Sequence, residues 1–84
     1  MIYSIKWHPQ AYKVFRKLPK DMIKRVLDKL DAVKQDPFRF LEHFEGGKCY
    51  KLRIGNYRAL IEIEIKDSTL LVNVFDHRNK IYKL

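Results

Sequence analysis

The spacing of hydrophobic residues changes once along the chain, and the change separates a helical half from a strand-rich half. In the N-terminal half, apolar side chains recur every three or four residues, which is the periodicity of an amphipathic helix. In the C-terminal half they alternate with polar side chains, which is typical of half-buried strands. One short alternating segment, residues 2–7, precedes the helical half and predicts a further strand.

Two helices are predicted in the N-terminal half. Pro9 suits the first turn of a helix, and Pro19 ends that helix. Its apolar residues are Ala11, Val14, Phe15 and Leu18. A second helix is predicted over Lys20–Gln35, because charged residues occupy the face opposite an apolar stripe. The stripe consists of Met22, Ile23, Val26, Leu27, Leu30 and Val33.

The C-terminal half predicts three strands joined by two tight turns. The strands are Cys49–Ile54, residues 57–66 and Thr69–His77, and the turns are Gly55-Asn56 and Asp67-Ser68. Residues 38–47 predict an irregular connection between the two halves. The order βααβββ predicts an α+β fold, a single domain over residues 1–84 with both helices on one face of a small, mainly antiparallel sheet.

Two-residue turns would fix which strand residues lie opposite each other. They pair Arg53 with Arg58 in the first hairpin and Lys66 with Thr69 in the second. One face of the sheet then becomes apolar, and a slip of one residue would invert every side chain. This predicted core face consists of Tyr50, Leu52, Ile54, Tyr57, Ala59, Ile61, Ile63, Ile65, Leu70, Val72 and Val74.

The opposite face collects positive charge. The predicted register places Arg53, Arg58 and His77 in one row across three strands, with Lys51 beside them. Opposed like charges destabilise a sheet, so such a row indicates a site for a polyanion, and phosphate is the obvious candidate. Leu60 and Phe75 continue this face, either as a platform for a base or a partner helix, or as the apolar floor beneath long cationic side chains. Lys51 has an alternative explanation, an ion pair with Glu62.

The net charge supports an anionic partner. The chain has 84 residues, with 18 Lys and Arg against 10 Asp and Glu, so the formal charge is +8. Residues 1–45 carry 10 − 6 = +4 and residues 46–84 carry 8 − 4 = +4, so no basic tail accounts for the excess. A folded basic surface fits a nucleic acid or an acidic protein, although ordinary solubilising lysines are the alternative.

Several other classes of protein and site are excluded. Cys49 is the only cysteine and cannot form an internal disulfide, which favours a reduced, cytoplasmic location. No apolar run is long enough for a membrane span, and the first residues do not form a signal peptide. No His, Cys, Asp or Glu cluster has metal-ligand spacing, so the sequence predicts no metal and no cofactor.

Residues 50–61 (YKLRIGNYRALI) resemble the signature hairpin of the RelE/ParE toxin superfamily. Residues 77–82 (HRNKIY) resemble its C-terminal element, and the Leu18-Pro19 break, chain length and strand order extend the likeness over nearly the whole chain. The final tyrosine after His-Arg favours the RelE branch. The resemblance implies a toxin of a type II toxin–antitoxin pair, which enters the ribosomal A site, cuts mRNA there and is neutralised by a RelB-like antitoxin.

The resemblance also implies roles for individual residues. Lys51 and Arg53 match the basic residues of the first signature strand, and Arg58, Arg78 and Tyr82 match the later arginines and the terminal tyrosine. RNA supplies its own 2′-OH nucleophile, so cations around the phosphate suffice without a metal. By this hypothesis Arg58, together with Arg53, holds the scissile phosphate. Lys51 assists by its charge or as a base. Arg78 or His77 would serve the leaving group, and Tyr82 would orient the nucleotide. The expected RNA contacts are Lys51, Arg53, Arg58, Phe75, Lys80 and Lys83.

Two alternatives remain open from the sequence. A ParE-like gyrase poison would share the fold and the hairpin without cleaving RNA. An inert basic module would bind RNA or an acidic helix, with a steep dependence on salt and no cleaved product. In either toxin class, the +8 surface fits an antitoxin with an acidic, amphipathic segment that orders on binding.

Overall fold

The computed structural model describes residues 2–44 and 49–81. It has an α+β fold, as the sequence predicts, with helices packed on a five-stranded, mostly antiparallel sheet. In chain order the elements are β1 (Ser4–Trp7), α1 (Pro9–Arg16), α2 (Lys20–Gln35), α3 (Pro37–Phe40), β2 (Glu42–His43), β3 (Cys49–Ile54), β4 (Tyr57–Glu64), β5 (Thr69–His77) and α4 (Arg78–Ile81).

The sheet has the strand order β1-β5-β4-β3-β2. Among the strand pairs of the described residues, β1–β5 alone is parallel. Both long helices and three strands separate β1 from β5 in the chain. The apolar residues of α1 and α2 pack on one face of the sheet and form a single core with it. The other face of the sheet carries most of its charged side chains.

The two long helices form where the apolar spacing predicts them. Val26 and Val33 are fully buried and lie seven residues apart, so successive turns of α2 present the same face to the sheet. The predicted bounds of α2 are confirmed. Between the helices, the amide of Leu18 donates to the carbonyl of Phe15, and the amide of Ile23 donates to the carbonyl of Pro19. Pro19 therefore separates the two helices.

The first hairpin has the predicted register. Gly55 has φ +59°, a left-handed conformation that glycine adopts without strain, and the Gly55-Asn56 turn joins β3 to β4. Arg53 lies opposite Arg58, and Leu52 lies opposite Ala59. Leu52 and Ala59 are buried, so the arginines point to the face without helices.

The second hairpin differs from the prediction. Its turn has four residues, 65–68, and not two, so Thr69 lies opposite Glu64 and not Lys66. The amide of Ser68 closes the turn on the carbonyl of Ile65, with Ser68 itself at φ 48°. Ile65, predicted to be in the core, is 68% exposed. The turn instead sets Ile63 against Leu70, two buried residues.

A β-bulge then shifts the register of β5 by one residue. Ile61 lies opposite Val72, but Leu60 lies opposite Val74, so Asn73 is the extra residue. The bulge reverses the alternation beyond it and turns Phe75 into the core, where it is 1% exposed. The predicted row of Arg53, Arg58 and His77 is therefore wrong, because Asp76 lies opposite Arg58 and His77 lies opposite Tyr57.

The connection between the halves is more regular than predicted. Pro37 begins the short helix α3, since its fixed φ suits a first turn. Leu41 is buried, and the two residues of β2 add to the edge of β3, with Glu42 opposite Lys51. Both elements are too short to produce a periodic sequence signal.

Candidate nucleic-acid interface

The face of the sheet opposite the helices contains two arginines on neighbouring strands. Arg53 of β3 and Arg58 of β4 lie directly opposite each other, on strands about 4.8 Å apart. Arg53 is exposed, whereas Arg58 is only 4% exposed. Two like charges at this separation destabilise a sheet, so the pair is unfavourable for stability and favourable for binding an anion.

Arg58 is held close to its own strand. Its Nη1 atom donates to the carbonyl of Tyr57 at 3.2 Å. Asp76 lies opposite Arg58 on the neighbouring strand β5 and adds a carboxylate to the same row. Its Oδ1 accepts a hydrogen bond from the amide of His77 at 2.8 Å. Because a guanidinium remains protonated even when it is buried, the row keeps a fixed positive charge next to one acid.

Lys51 extends the positive charge by one row. It lies opposite Leu60 in β4, and its Nζ lies 3.7 Å from the Glu42 carboxylate in β2. Its side chain is 19% exposed, whereas that of Glu42 is largely in solvent. The acid next to Lys51 is thus Glu42. Glu62 lies opposite Cys49 and accepts a long hydrogen bond of 3.5 Å from Asn73.

The start of α4 lies beside the arginine row. The amide of Arg78 donates to the carbonyl of Asn56 at 2.8 Å, which fixes Arg78 next to the β3–β4 turn. Arg78 and Lys80 are both exposed, so they add positive charge at the same end of the sheet. The predicted roles of Tyr82 and Lys83 fall outside the described residues.

Two predicted site residues do not lie on this face. Phe75 is in the core, where its ring stacks on that of Tyr57 at 5.4 Å and meets Trp7 edge-on at 5.9 Å. Its predicted role as a platform for RNA is therefore wrong. His77 packs edge-on against Tyr57 at 5.6 Å and lines a cavity of about 370 Å³ beside α1. The bulge at Asn73 is the cause in both cases.

A second basic region lies between α2 and β3 and is not among the sites predicted from the sequence. Two adjoining cavities of about 250 and 300 Å³ share the lining residues Lys29, Phe40 and Arg53. We call them together the α2–β3 groove; its other charged residues are Arg25, Asp28, Glu42 and Lys51. Arg25 and Lys29 are four residues apart and therefore lie on one helix face, which is the signal in the sequence that indicates this region.

Other features of the described residues are few. Across 2–44 and 49–81 no group of three His, Cys, Asp or Glu side chains could hold a metal ion, and no helix there is long and apolar enough to cross a membrane. On the outer face of α2, the Lys24 ammonium donates a hydrogen bond to the Asp28 carboxylate at 2.9 Å. This contact raises the pKa of Lys24 above its ordinary value.

Comparison with known proteins identifies related folds. The family model described as the ParE toxin of type II toxin–antitoxin systems matches residues 5–82. The archaeal RelE–RelB complex from Pyrococcus horikoshii OT3 contains a chain that is 28% identical, with a TM-score of 0.80 over 95% of this chain and 99% of that one. No sequence match is found among proteins of curated function.

Two bacterial structures have the same fold at lower identity. A RelBE toxin–antitoxin complex from Mycobacterium tuberculosis is 23% identical, with a TM-score of 0.79 over 93% of this chain and all of that one (100%). The isolated RelE toxin from E. coli is 22% identical, with a TM-score of 0.78 over 96% of this chain and 92% of that one.

Proposed function

The chain belongs to the ParE toxin family of type II toxin–antitoxin systems, within the RelE/ParE superfamily, and we propose that its activity is of the RelE type. In this proposal it is an endoribonuclease that cuts mRNA in the ribosomal A site and so inhibits translation in the cytoplasm. The observation that carries the proposal is the direct pairing of Arg53 with Arg58, with Lys51 one row away.

The proposed reaction depends mainly on positive charge positioned around the scissile phosphate. The 2′-OH of the nucleotide before the cut loses its proton, and its oxygen attacks the adjacent phosphorus. A 2′,3′-cyclic phosphate forms as the bond from phosphorus to the 5′-oxygen breaks, and that oxygen takes up a proton. Negative charge increases on the phosphate in the transition state, where preorganised cations stabilise it most. No metal takes part in the proposed reaction.

Each cation of the face has a role in this scheme. Arg53 and Arg58 hold the scissile phosphate between them, since guanidinium groups match phosphate oxygens in geometry and charge. Lys51 assists by its charge as an ammonium or, in its neutral amine form, accepts the proton of the 2′-OH. Arg78 stabilises the departing 5′-oxygen, whereas His77 lies opposite Tyr57 in the sheet and is given no role in this scheme.

Flanking residues complete the proposed RNA contacts. Lys80 and Lys83 bind neighbouring phosphates, and Tyr82 orients a nucleotide. The partners in this proposal are mRNA on the ribosome and a RelB-like antitoxin, whose acidic, amphipathic segment would complement the positive surface. Complexes with an antitoxin named RelB are the form in which several of the structural neighbours were solved, which supports this partner.

The test uses purified protein and ribosomes programmed with a defined mRNA. The wild type should cut within the A-site codon and leave a 2′,3′-cyclic phosphate on the upstream fragment. Arg58→Ala should lower the cleavage rate by about 10²–10³-fold, the usual loss when one preorganised donor to a transition-state oxyanion is removed. Undiminished cleavage by a folded Arg58→Ala variant would remove that residue from the mechanism.

A ParE-like gyrase poison is the second candidate. It is favoured by the matching family model, which is that of ParE toxins, and by the burial of Arg58, which limits access to one of the two arginines. A supercoiling assay with purified gyrase separates the candidates. Inhibition of gyrase with ribosome-bound mRNA left intact would replace the proposed activity with this one.

A further inference from the structure

The α2–β3 groove has more positive charge than its own acids neutralise. Four cations line it: Arg25, Lys29, Lys51 and Arg53. The two carboxylates among its described lining residues are each already beside a lysine, because Asp28 lies 2.9 Å from Lys24 and Glu42 lies 3.7 Å from Lys51. In the part of the chain that the structure describes, Arg25, Lys29 and Arg53 form no ion pair. The groove is therefore equipped to attract an anion.

Neighbouring groups hold these cations in place. The Lys29 ammonium lies 5.2 Å from the centroid of the Phe40 ring, a cation–π contact that fixes a flexible side chain. Arg25 lies against the β3–β4 turn, where a Cβ added at Gly55 would approach its Nη1 to 3.3 Å. Because Gly55 has no side chain, the Arg25 guanidinium has room beside the turn. It can therefore bind an anion at a low cost in conformational entropy.

The groove is continuous with the arginine row. Arg53 lines both cavities and also forms the outer member of the Arg53–Arg58 pair. A strand of nucleic acid whose phosphate lies between the two arginines would therefore have its next phosphates at the mouth of the groove. Arg25 and Lys29 are four residues apart on α2, so their side chains extend from neighbouring points of one face.

We propose that the α2–β3 groove binds the phosphodiester backbone of the single-stranded RNA that flanks the cleaved bond, with Arg25 and Lys29 each contacting a phosphate. This inference rests on the proposed function, since it needs RNA at Arg53 and Arg58. The alternative occupant, an acidic amphipathic helix, needs an apolar stripe to pack on. The groove offers only a short one, because Leu52 and Ile54 of its described lining are buried, and Ala32 and Phe40 are the apolar lining residues that are partly exposed.

Binding of a short, fluorescently labelled single-stranded RNA at a series of salt concentrations tests the groove without requiring cleavage. The variant is Arg25→Gln/Lys29→Gln. The matched control is Lys6→Gln/Lys66→Gln, which removes the same charge from exposed positions on β1 and on the β4–β5 turn. Thermal unfolding of both variants verifies that they fold.

The groove variant should bind RNA about tenfold more weakly than the wild type at ~0.1 M salt. Its plot of log affinity against log salt should be less steep by about 1.4, because each lost phosphate contact on a single strand is worth about 0.7. The control should stay within about twofold of the wild type, since β5 and β4 separate β1 from β3 and the β4–β5 turn is at the opposite end of β4 from Gly55. At strand spacings of about 4.8 Å both charges are then more than a Debye length of about 10 Å away. Equal affinities and slopes for the two variants would overturn the proposal.

Cleavage of ribosome-bound mRNA separates this inference from the proposed function. If the groove positions RNA, Arg25→Gln/Lys29→Gln should raise KM severalfold and leave kcat within about twofold of the wild type. A wild type that cuts no RNA would refute the proposed function, while the salt slopes would still decide the role of the groove. Loss of antitoxin binding with unchanged RNA binding would assign the groove to the antitoxin and overturn the proposal.

Discussion

The two hairpins of the sheet share β4 but obtain their registers in different ways. In β3–β4 a Gly-Asn turn fixes the pairing from the turn outward, and every pair follows regularly from it. In β4–β5 a four-residue turn is followed by a bulge at Asn73, and the pairing beyond the bulge places Phe75 in the core. Turn geometry sets the register of the β3–β4 hairpin. The register of the β4–β5 hairpin beyond the bulge is the one that buries the large aromatic ring of Phe75.

This difference decides which groups meet at the candidate site. The regular hairpin brings Arg53 opposite Arg58, and the bulged hairpin brings Asp76, not His77, to the other side of Arg58. A bulge also twists the strand locally, which is why bulges often occur beside functional sites. The pairing of Arg53 with Arg58 thus depends on a local turn signal, whereas the position of Asp76 beside Arg58 depends on the packing of the core.

The largest expected effect concerns the aromatic ring that the bulge buries. Phe75→Ala should cost about 3–5 kcal/mol in the free energy of unfolding, because it leaves a cavity in the core. Val74→Ala, the matched control one residue away on the opposite face, should cost about 0.5–1 kcal/mol. Urea denaturation measures both.

Phe75→Leu keeps most of the buried volume and provides a milder variant if the alanine protein does not fold. It should still be less stable than the wild type by about 1 kcal/mol. A greater loss from Val74→Ala than from Phe75→Ala would place the bulge elsewhere in β5 and restore the register predicted from the sequence.

A smaller effect is expected at the two turns. Gly55→Ala should cost about 1–2 kcal/mol, since alanine is strained at φ +59° and its Cβ would lie 3.3 Å from both Arg25 Nη1 and Met22 Cε. Ser68→Gly, at the other left-handed residue, should change stability by less than about 0.5 kcal/mol, because glycine removes that strain. Thermal unfolding compares them. A neutral Gly55→Ala would mean that the first register does not depend on this turn conformation.

The smallest effect tests the neighbour of Arg58 directly. A double-mutant cycle of Arg58→Gln with Asp76→Asn should give a coupling energy of about 0.5–1 kcal/mol, as for opposed charges on adjacent strands. The same cycle with His77→Gln should give less than about 0.3 kcal/mol. The opposite order of coupling energies would support the row of Arg53, Arg58 and His77 that the sequence suggests.

The sequence predicts the elements whose signals are local and long enough to repeat. α2 has the predicted bounds because its apolar stripe runs for four turns between Pro19 and Asp36. The short elements α3 and β2 have four and two residues, so their formation depends on contacts with the rest of the fold. The bulge also depends on contacts with the rest of the fold, since nothing in the sequence around Asn73 distinguishes an extra residue from regular alternation.

In the candidate site, too, the features that depend on local signals are predicted from the sequence and those that depend on tertiary packing are not. Lys51, Arg53 and Arg58 share a face as predicted, because one turn and strict alternation are enough to place them there. The burial of Arg58, the exclusion of Phe75 and His77 and the groove formed with α2 all depend on tertiary packing. Pairing patterns within a sheet cannot reveal a cavity shared by a helix and a strand edge.

The proposed activity depends most on a phosphate bound between the paired arginines. Arg53 is the better residue to test because it is exposed and can be shortened without disturbing the core. The measurement is the single-turnover rate of mRNA cleavage on programmed ribosomes for Arg53→Ala, with Arg16→Ala on the exposed surface of α1 as the charge-matched control. We predict a rate lower by about 10²-fold for Arg53→Ala and a rate within about twofold of the wild type for Arg16→Ala. Equal rates for the two variants would mean that the scissile phosphate is not bound between Arg53 and Arg58.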